Sequence, residues 1–196
     1  MKKNNIDIDA LMMLDILNLK AIIENDEIIG IRGVSLSGSK RRRYLKAVKN
    51  AGINNIIDLR TADHTDNFES ACAENGLRCY HIPIDKKNTP AEEIIKNLSL
   101  LMDIISQRNF YIACAQGLHR TDIALALNYM FNPKVQEPPI MYGHIKNGIF
   151  RYDDIFCRTN NIYRNLTEED KISLGWDEAF NKNYGERKKL LIAKQE

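Results

Sequence analysis

The chain has 196 residues, 44% of them hydrophobic, which is enough to bury one core with appendages and short for two full domains. Its 28 lysines and arginines stand against 26 acids, and a net charge of +2 carries no general polyanion-binding signature, so a nucleic-acid partner is not expected. The four cysteines, Cys72, Cys79, Cys114 and Cys157, show neither the density of a disulfide scaffold nor paired zinc-ligand spacing; a reducing cytoplasm is expected, although a protein exported as an effector would read the same way.

The apolar run from Leu11 to Ile23 is interrupted by Asp15, Asn18 and Lys20, too short and too polar to form an integral membrane segment. With Asp9 as its cap it is expected to form an N-terminal helix within residues 1–26, packed on the rest of the chain. From Glu27 onward extended and helical patterns alternate, which predicts an α/β layer structure with a mainly parallel sheet. Ile28–Val34 is the first extended piece. A basic helix follows from about Lys40 to Asn50, closed by Gly52. Ile53–Leu59 reads as a buried strand, a helix then runs to about Asn75 before Gly76, and Leu77–Ile84 is the next strand.

Thr89-Pro90-Ala91-Glu92 is a capping box with proline at the first helical position, and Ile94, Leu98, Leu101 and Ile105 follow at helical spacing to about Gln107. Phe110–Ala113 is a short strand, and Thr121–Phe131 is a helix whose Ile123, Leu125, Leu127 and Met130 should lie in the interior. Residues 27–132 are thus expected to form a core, with residues 133–196 as a helical extension packed on it. In that extension Pro138-Pro139 should open one helix, Thr167-Glu168-Glu169-Asp170 should cap another, and Trp176 should dock the tail.

Between the short strand and the helix after it lies Cys114-Ala115-Gln116-Gly117-Leu118-His119-Arg120-Thr121. A loop entering a helix N-terminus presents unpaired N–H groups and the positive end of the helix dipole, so it can wrap a tetrahedral dianion. The amides of Ala115, Gln116, Gly117, Leu118, His119 and Arg120 are the candidate phosphate binders, and the Arg120 fork grips two phosphate oxygens. The same field favours the Cys114 thiolate and makes it a nucleophile at neutral pH. Gly117 suits the tight backbone this requires.

This loop resembles the Cys-x5-Arg-Ser/Thr signature of the cysteine-dependent protein tyrosine and dual-specificity phosphatases, of the compact bacterial type. The likeness extends over about residues 28–131, through Arg32-Gly33-Val34-Ser35-Leu36-Ser37 and Ile57-Asp58-Leu59-Arg60. It implies a three-layer α/β/α fold with a central sheet of four or five strands and the loop at the sheet's C-terminal edge. It also implies a metal-independent phosphomonoester hydrolase with no cofactor, working through a cysteinyl-phosphate on a phosphorylated protein. Thr121 would then stabilise the departing Cys114 sulfur, and Asp85 stands where the dual-specificity members carry their general acid; His119 is the alternative donor, and Asp122 a weaker one.

Histidine before the arginine also resembles phosphatases of inositol phosphates or phosphoinositides. Two positions depart from the pattern: Ala113 replaces a histidine that helps order the loop, and Asp122 replaces a common glycine. They motivate a reading of another class, an inactive phosphate-binding pseudophosphatase. Sulfur transfer or arsenate reduction is disfavoured because the loop lies late in the chain. Cys72 and Cys79 read as buried filler, with a protective disulfide to Cys114 as the alternative. The pattern leaves oligomeric state open.

Overall fold

A computed structural model describes residues 6–61, 67–84, 91–132, 134–142, 145–146, 149–150, 167–173 and 178–194. Five strands form one sheet in the order β1-β2-β5-β3-β4: β1 (Lys20–Glu24), β2 (Glu27–Val34), β3 (Asn55–Asp58), β4 (Arg78–His81) and β5 (Phe110–Cys114). β2 and β3 run parallel to the central β5, and β4 runs parallel to β3; only β1 is antiparallel. The helices α1 (Ile8–Met12), α2 (Arg41–Asn50), α3 (Phe68–Glu74), α4 (Ala91–Ser106) and α5 (His119–Phe131) complete an α/β fold of the expected class.

Two compact units are distinguishable, Met1–Lys87 with Asp103–Thr121, and Asn88–Met102 with Asp122–Glu196. The first holds the whole five-stranded sheet. The second contains the β6–β7 ribbon (Ile145–Lys146 and Ile149–Phe150), α6 (Glu168–Ser173) and α7 (Glu178–Ala193). Within it the Arg187 guanidinium lies 5.0 Å from the Tyr129 ring centroid and donates to the carbonyls of Tyr129, Asn132 and Val135.

Water is excluded from both faces at the middle of the sheet: every residue of the apolar β5 is buried, and so is every residue of β3, its polar Asn55 and Asp58 included. On one face Ile31, Ile56, Tyr111 and Ala113 pack with Leu11 of α1, Tyr44, Leu45 and Val48 of α2, and Phe68 and Cys72 of α3. The period of two places Gly30 and Arg32 of β2 with Phe110, Ile112 and Cys114 of β5 on the other face, where a β-carbon on Gly30 would overlap the Phe110 ring. Gly52 and Gly76 stop α2 and α3 with left-handed backbones at φ +92° and +67°.

The expectations are met for α2, β3, α3, β4, β5 and α6, and the buried Leu98, Leu101 and Ile105 bear out the helical spacing in α4. The capping residues Thr89 and Pro90, and Trp176, lie outside the described residues.

The N-terminal reading differs. Instead of one helix over Leu11–Ile23, a short α1 is capped by Asp7, whose carboxylate accepts from the Ala10 N–H at 3.0 Å, and residues 20–24 form β1. Asn18 adopts a positive φ of 56°, which breaks any helix there, and the β-branched pair Ile22-Ile23 gains a hairpin partner in β2. Residues 138–142 are not helical either. The Tyr142 N–H, which a helix opened at Pro138 would turn back to the carbonyl four residues before it, is bonded instead to the Asp122 carboxylate at 3.0 Å.

The chain between α1 and β1 is fixed to α2 by Asp15, which accepts from the Tyr44 hydroxyl at 2.6 Å and pairs with Lys40. The Lys40 ammonium and then the Tyr44 hydroxyl hold the Asp15 carboxyl at about 2, below its usual 3.8. A carboxyl depressed on folding stabilises the fold above its unfolded value and loses that contribution as pH falls through the folded one. The stability gap between wild type and Asp15→Asn, followed by urea midpoints, is therefore expected to be open at pH 5 and to close as pH falls toward 2. A gap independent of pH would show that the carboxylate contributes nothing.

Candidate active site

The parallel strands bring their C-terminal ends to one edge of the sheet, and β5, in the middle, delivers Cys114 there. The loop then turns at Gly117, which has a left-handed φ of +68° and sits directly on β2. A β-carbon at Gly117 would fall on the Gly33 carbonyl and 2.7 Å from the Val34 nitrogen, so both the dihedral and the contact demand glycine. Two residues later α5 begins, and its first amides face back into the loop.

Each loop carbonyl whose partner is defined is bonded from outside. The Cys114 carbonyl accepts from the Ser35 N–H at 2.9 Å and from the Gly117 N–H at 3.3 Å. The Asn18 side-chain amide donates to the Gln116 carbonyl at 2.8 Å. One nitrogen of Arg32, a residue only 1% exposed, donates to the carbonyls of Gly117 at 3.0 Å and Leu118 at 3.2 Å. The Gly117 N–H closes the turn onto the Cys114 carbonyl, and with the other acceptors engaged from outside the remaining loop amides are left to direct inward.

The sulfur feels those donors. Burial pushes the Cys114 thiol up, but hydrogen bonds from the Thr121 hydroxyl and from the backbone amides of Gln116, Thr121 and Arg120 outweigh it, and the net displacement is downward. Thr121 is fully buried, its hydroxyl is not engaged elsewhere among the described residues, and its nearness favours the sulfur's anion. A helix N-terminus adds its dipole in the same direction. A buried thiol held toward its anion by converging amides is equipped to attack an electrophile and to bind an oxyanion.

The structure brings Cys114, Arg120, Thr121 and residues 115–119 into this single turn of chain. Ala115 and Gln116 are exposed, Gly117 is buried, and Leu118, His119 and Arg120 are half-buried. Among the described residues no carboxylate pairs with the Arg120 guanidinium. Asp85 lies outside the described residues. Asp122 is fully buried and binds the Tyr142 amide, so its charge has a structural use. Cys72 and Cys79 face each other: a hydrogen bond to Cys72, together with burial, pushes the Cys79 thiol strongly up.

Sequence reasoning assigned no role to Arg32 or Asn18, which hold the loop from outside. The signal for Arg32 was present, since a charged residue in the middle of an apolar strand has to be bonded if it is buried. A second such pair stands at the end of β3, where Asp58 and Arg60 are both buried and joined at 2.6–3.0 Å. Arg60 also lies 5.0 Å from the Phe68 ring centroid, and its carbonyl meets His81 Nε2 at 2.6 Å. Removing one partner of such a pair costs about 3–5 kcal/mol because the other charge is left buried.

Cys114 is expected to react with iodoacetate at pH values where an ordinary cysteine stays protonated. Thr121→Val removes a donor to the thiolate and should raise the pH of half-maximal alkylation, followed by peptide mapping at Cys114. An unchanged midpoint would mean that the hydroxyl does not serve the sulfur.

A family model described as PTP-NADK, DSP-PTPase phosphatase fused to NAD+ Kinase, matches residues 22–130. Among solved structures, a phosphatase candidate of the DUF442 type from Shewanella putrefaciens CN-32 is similar with a TM-score of 0.52 at 15% identity, over 81% of this chain and 97% of that one. Kinase associated phosphatase, solved with its catalytic-site cysteine replaced by serine, is similar with a TM-score of 0.51 at 14% identity, over 90% of this chain and 97% of its own. At these identities the structural likeness shows the fold. Among curated proteins no sequence matches the chain.

Proposed function

The chain belongs to the dual-specificity and protein tyrosine phosphatase-like family whose model spans residues 22–130, and from that premise we propose that it is a metal-independent phosphomonoester hydrolase acting on phosphotyrosine or with dual specificity on phosphoproteins. The observation that carries the reading is the placing of Cys114 at the C-terminal end of β5, beneath the Gly117 turn and the N-terminus of α5, a setting whose amides favour the thiolate.

In the proposed reaction the substrate dianion docks on the loop amides and the Arg120 guanidinium, which stay matched to its equatorial oxygens as charge shifts in the transition state. The Cys114 sulfur attacks phosphorus in line, a S–P bond forms, and the ester P–O bond breaks. Asp85 gives its proton to the departing oxygen. It then takes a proton from the water that attacks phosphorus, releasing phosphate and returning the sulfur as a thiolate to the Thr121 hydroxyl. His119, at the first position of α5, is the alternative donor. A nucleophilic thiolate needs reducing surroundings, and the cytoplasm is the proposed setting. Among the described residues no helix is long and apolar enough to cross a membrane.

Phosphate release from aryl phosphates, phosphopeptides and inositol phosphates, measured with chelator and reductant, tests the reading. Cys114→Ser should abolish turnover while keeping measurable binding of orthophosphate, and full activity in that variant would refute the mechanism. Asp85→Asn is expected to slow hydrolysis of phosphotyrosine by roughly a hundredfold and to affect esters with better leaving groups less. An unchanged rate on phosphotyrosine would remove Asp85 from its role. A wild-type protein that releases no phosphate even in a single turnover would be the binding module instead.

A further inference from the structure

We propose that Arg32 and Asn18 are positioning residues that act as a carbonyl clamp, fixing the peptide planes of residues 116–118 so that the turn beneath Cys114 is closed and the Leu118 and His119 N–H groups face the bound oxyanion. The inference rests on the proposed thiolate chemistry of Cys114 and assigns the means by which the loop is kept ready for it.

The geometry is direct. β2 and β5 are in parallel register, with Arg32 beside Ile112, so the Arg32 side chain rises on the same face of the sheet as Cys114. Its terminal nitrogen meets two successive carbonyls, at 3.0 Å on Gly117 and 3.2 Å on Leu118. In a trans peptide the C=O and the following N–H point to opposite sides. Carbonyls 117 and 118 drawn to Arg32 therefore send the amides of Leu118 and His119 away from it. Asn18 holds the preceding carbonyl, Gln116 O, at 2.8 Å, and the Gly117 N–H of that peptide closes the turn onto the Cys114 carbonyl at 3.3 Å.

The clamp is built for rigidity. Arg32 is 1% exposed, and the guanidinium is a planar fork that loses little freedom on binding. Asn18 is placed by its left-handed backbone and by the Leu17 carbonyl, which accepts the Val34 N–H at 3.0 Å and so ties the segment to β2. Ala113, the residue before the cysteine, carries no side-chain donor, so ordering the loop falls on groups outside it. The groups that bear on the sulfur are the Thr121 hydroxyl, the loop amides and the buried Tyr111 phenol, whose own proton is held tightly by burial and by the nearby Cys114. Lysine at position 32 keeps the charge but offers no planar fork for two acceptors.

The test reads the thiolate and the oxyanion site without needing turnover. Arg32→Lys is expected to slow iodoacetate alkylation at Cys114, mapped by mass at pH 7, by about tenfold, and to weaken protection by orthophosphate by about tenfold, with the circular dichroism unchanged. Asn18→Ala, an exposed change that leaves the core untouched, should lower both by about threefold. Alkylation and protection within twofold of wild type in Asn18→Ala and in any Arg32 variant that folds would overturn the clamp, and should no Arg32 variant fold, an unchanged Asn18→Ala would do so alone. Losses in alkylation and protection in a protein whose wild type releases no phosphate would uphold the clamp and sink the hydrolase reading. A hydrolase whose alkylation ignores both substitutions would do the reverse.

Discussion

The contact on which the structure turns is between two backbones. Gly117 rests on Gly33 and Val34 with no room for a side chain between them, so the loop after β5 lies flat on the end of β2. That proximity puts the loop carbonyls within reach of donors on neighbouring chain: the Ser35 amide, the Arg32 guanidinium and the Asn18 amide. Without the close approach those donors would have no acceptors, and a buried arginine in β2 would be a large liability.

Two opposing effects meet at the sulfur, and their balance decides whether the loop is a reactive site or part of the core. Burial opposes ionisation of Cys114, since an isolated anion in hydrocarbon is costly. Three backbone amides and one hydroxyl reverse the outcome. Tyr111, equally buried on the same strand, has no such set of amides: its hydroxyl donates to the Val34 carbonyl at 2.8 Å, and burial holds its proton in place. The contrast between neighbours on one strand locates the reactive character in the loop geometry rather than in depth. Cys72 and Cys79 make the same point, as a thiol hydrogen-bonded to another thiol is driven away from ionisation.

Much of this was legible in the chain itself. The apolar run Phe110–Ala113, the Cys114-to-Arg120 spacing and the glycine between them specify a strand, a turn and a helix with little competition, because each local preference agrees with the fold around it. The N-terminal segment was not legible in the same way. Its apolar residues satisfy helical and extended periods about equally, and the choice was made by hairpin pairing with β2 and by the left-handed turn at Asn18, both matters of tertiary context. Pro138-Pro139 reads as a helix start by local rule, yet Asp122 takes the nearby Tyr142 amide and residues 138–142 stay outside any helix. The partners of Arg32 were hidden for a related reason: they are main-chain carbonyls 85 and 86 positions away, which no spacing rule connects.

The paired glycines carry an evolutionary consequence. On β2, a β-carbon at Gly33 would collide with the Tyr111 hydroxyl, and across the interface one at Gly117 would collide with Gly33 itself. Neither position can drift freely, because a side chain at Gly117 forces the loop off the strand and one at Gly33 displaces the Tyr111 hydroxyl from its place beneath. Divergence in substrate choice within such a scaffold is therefore channelled to the outward-facing Ala115 and Gln116 and to the half-buried Leu118 and His119, whose side chains can vary while the seam beneath them stays closed.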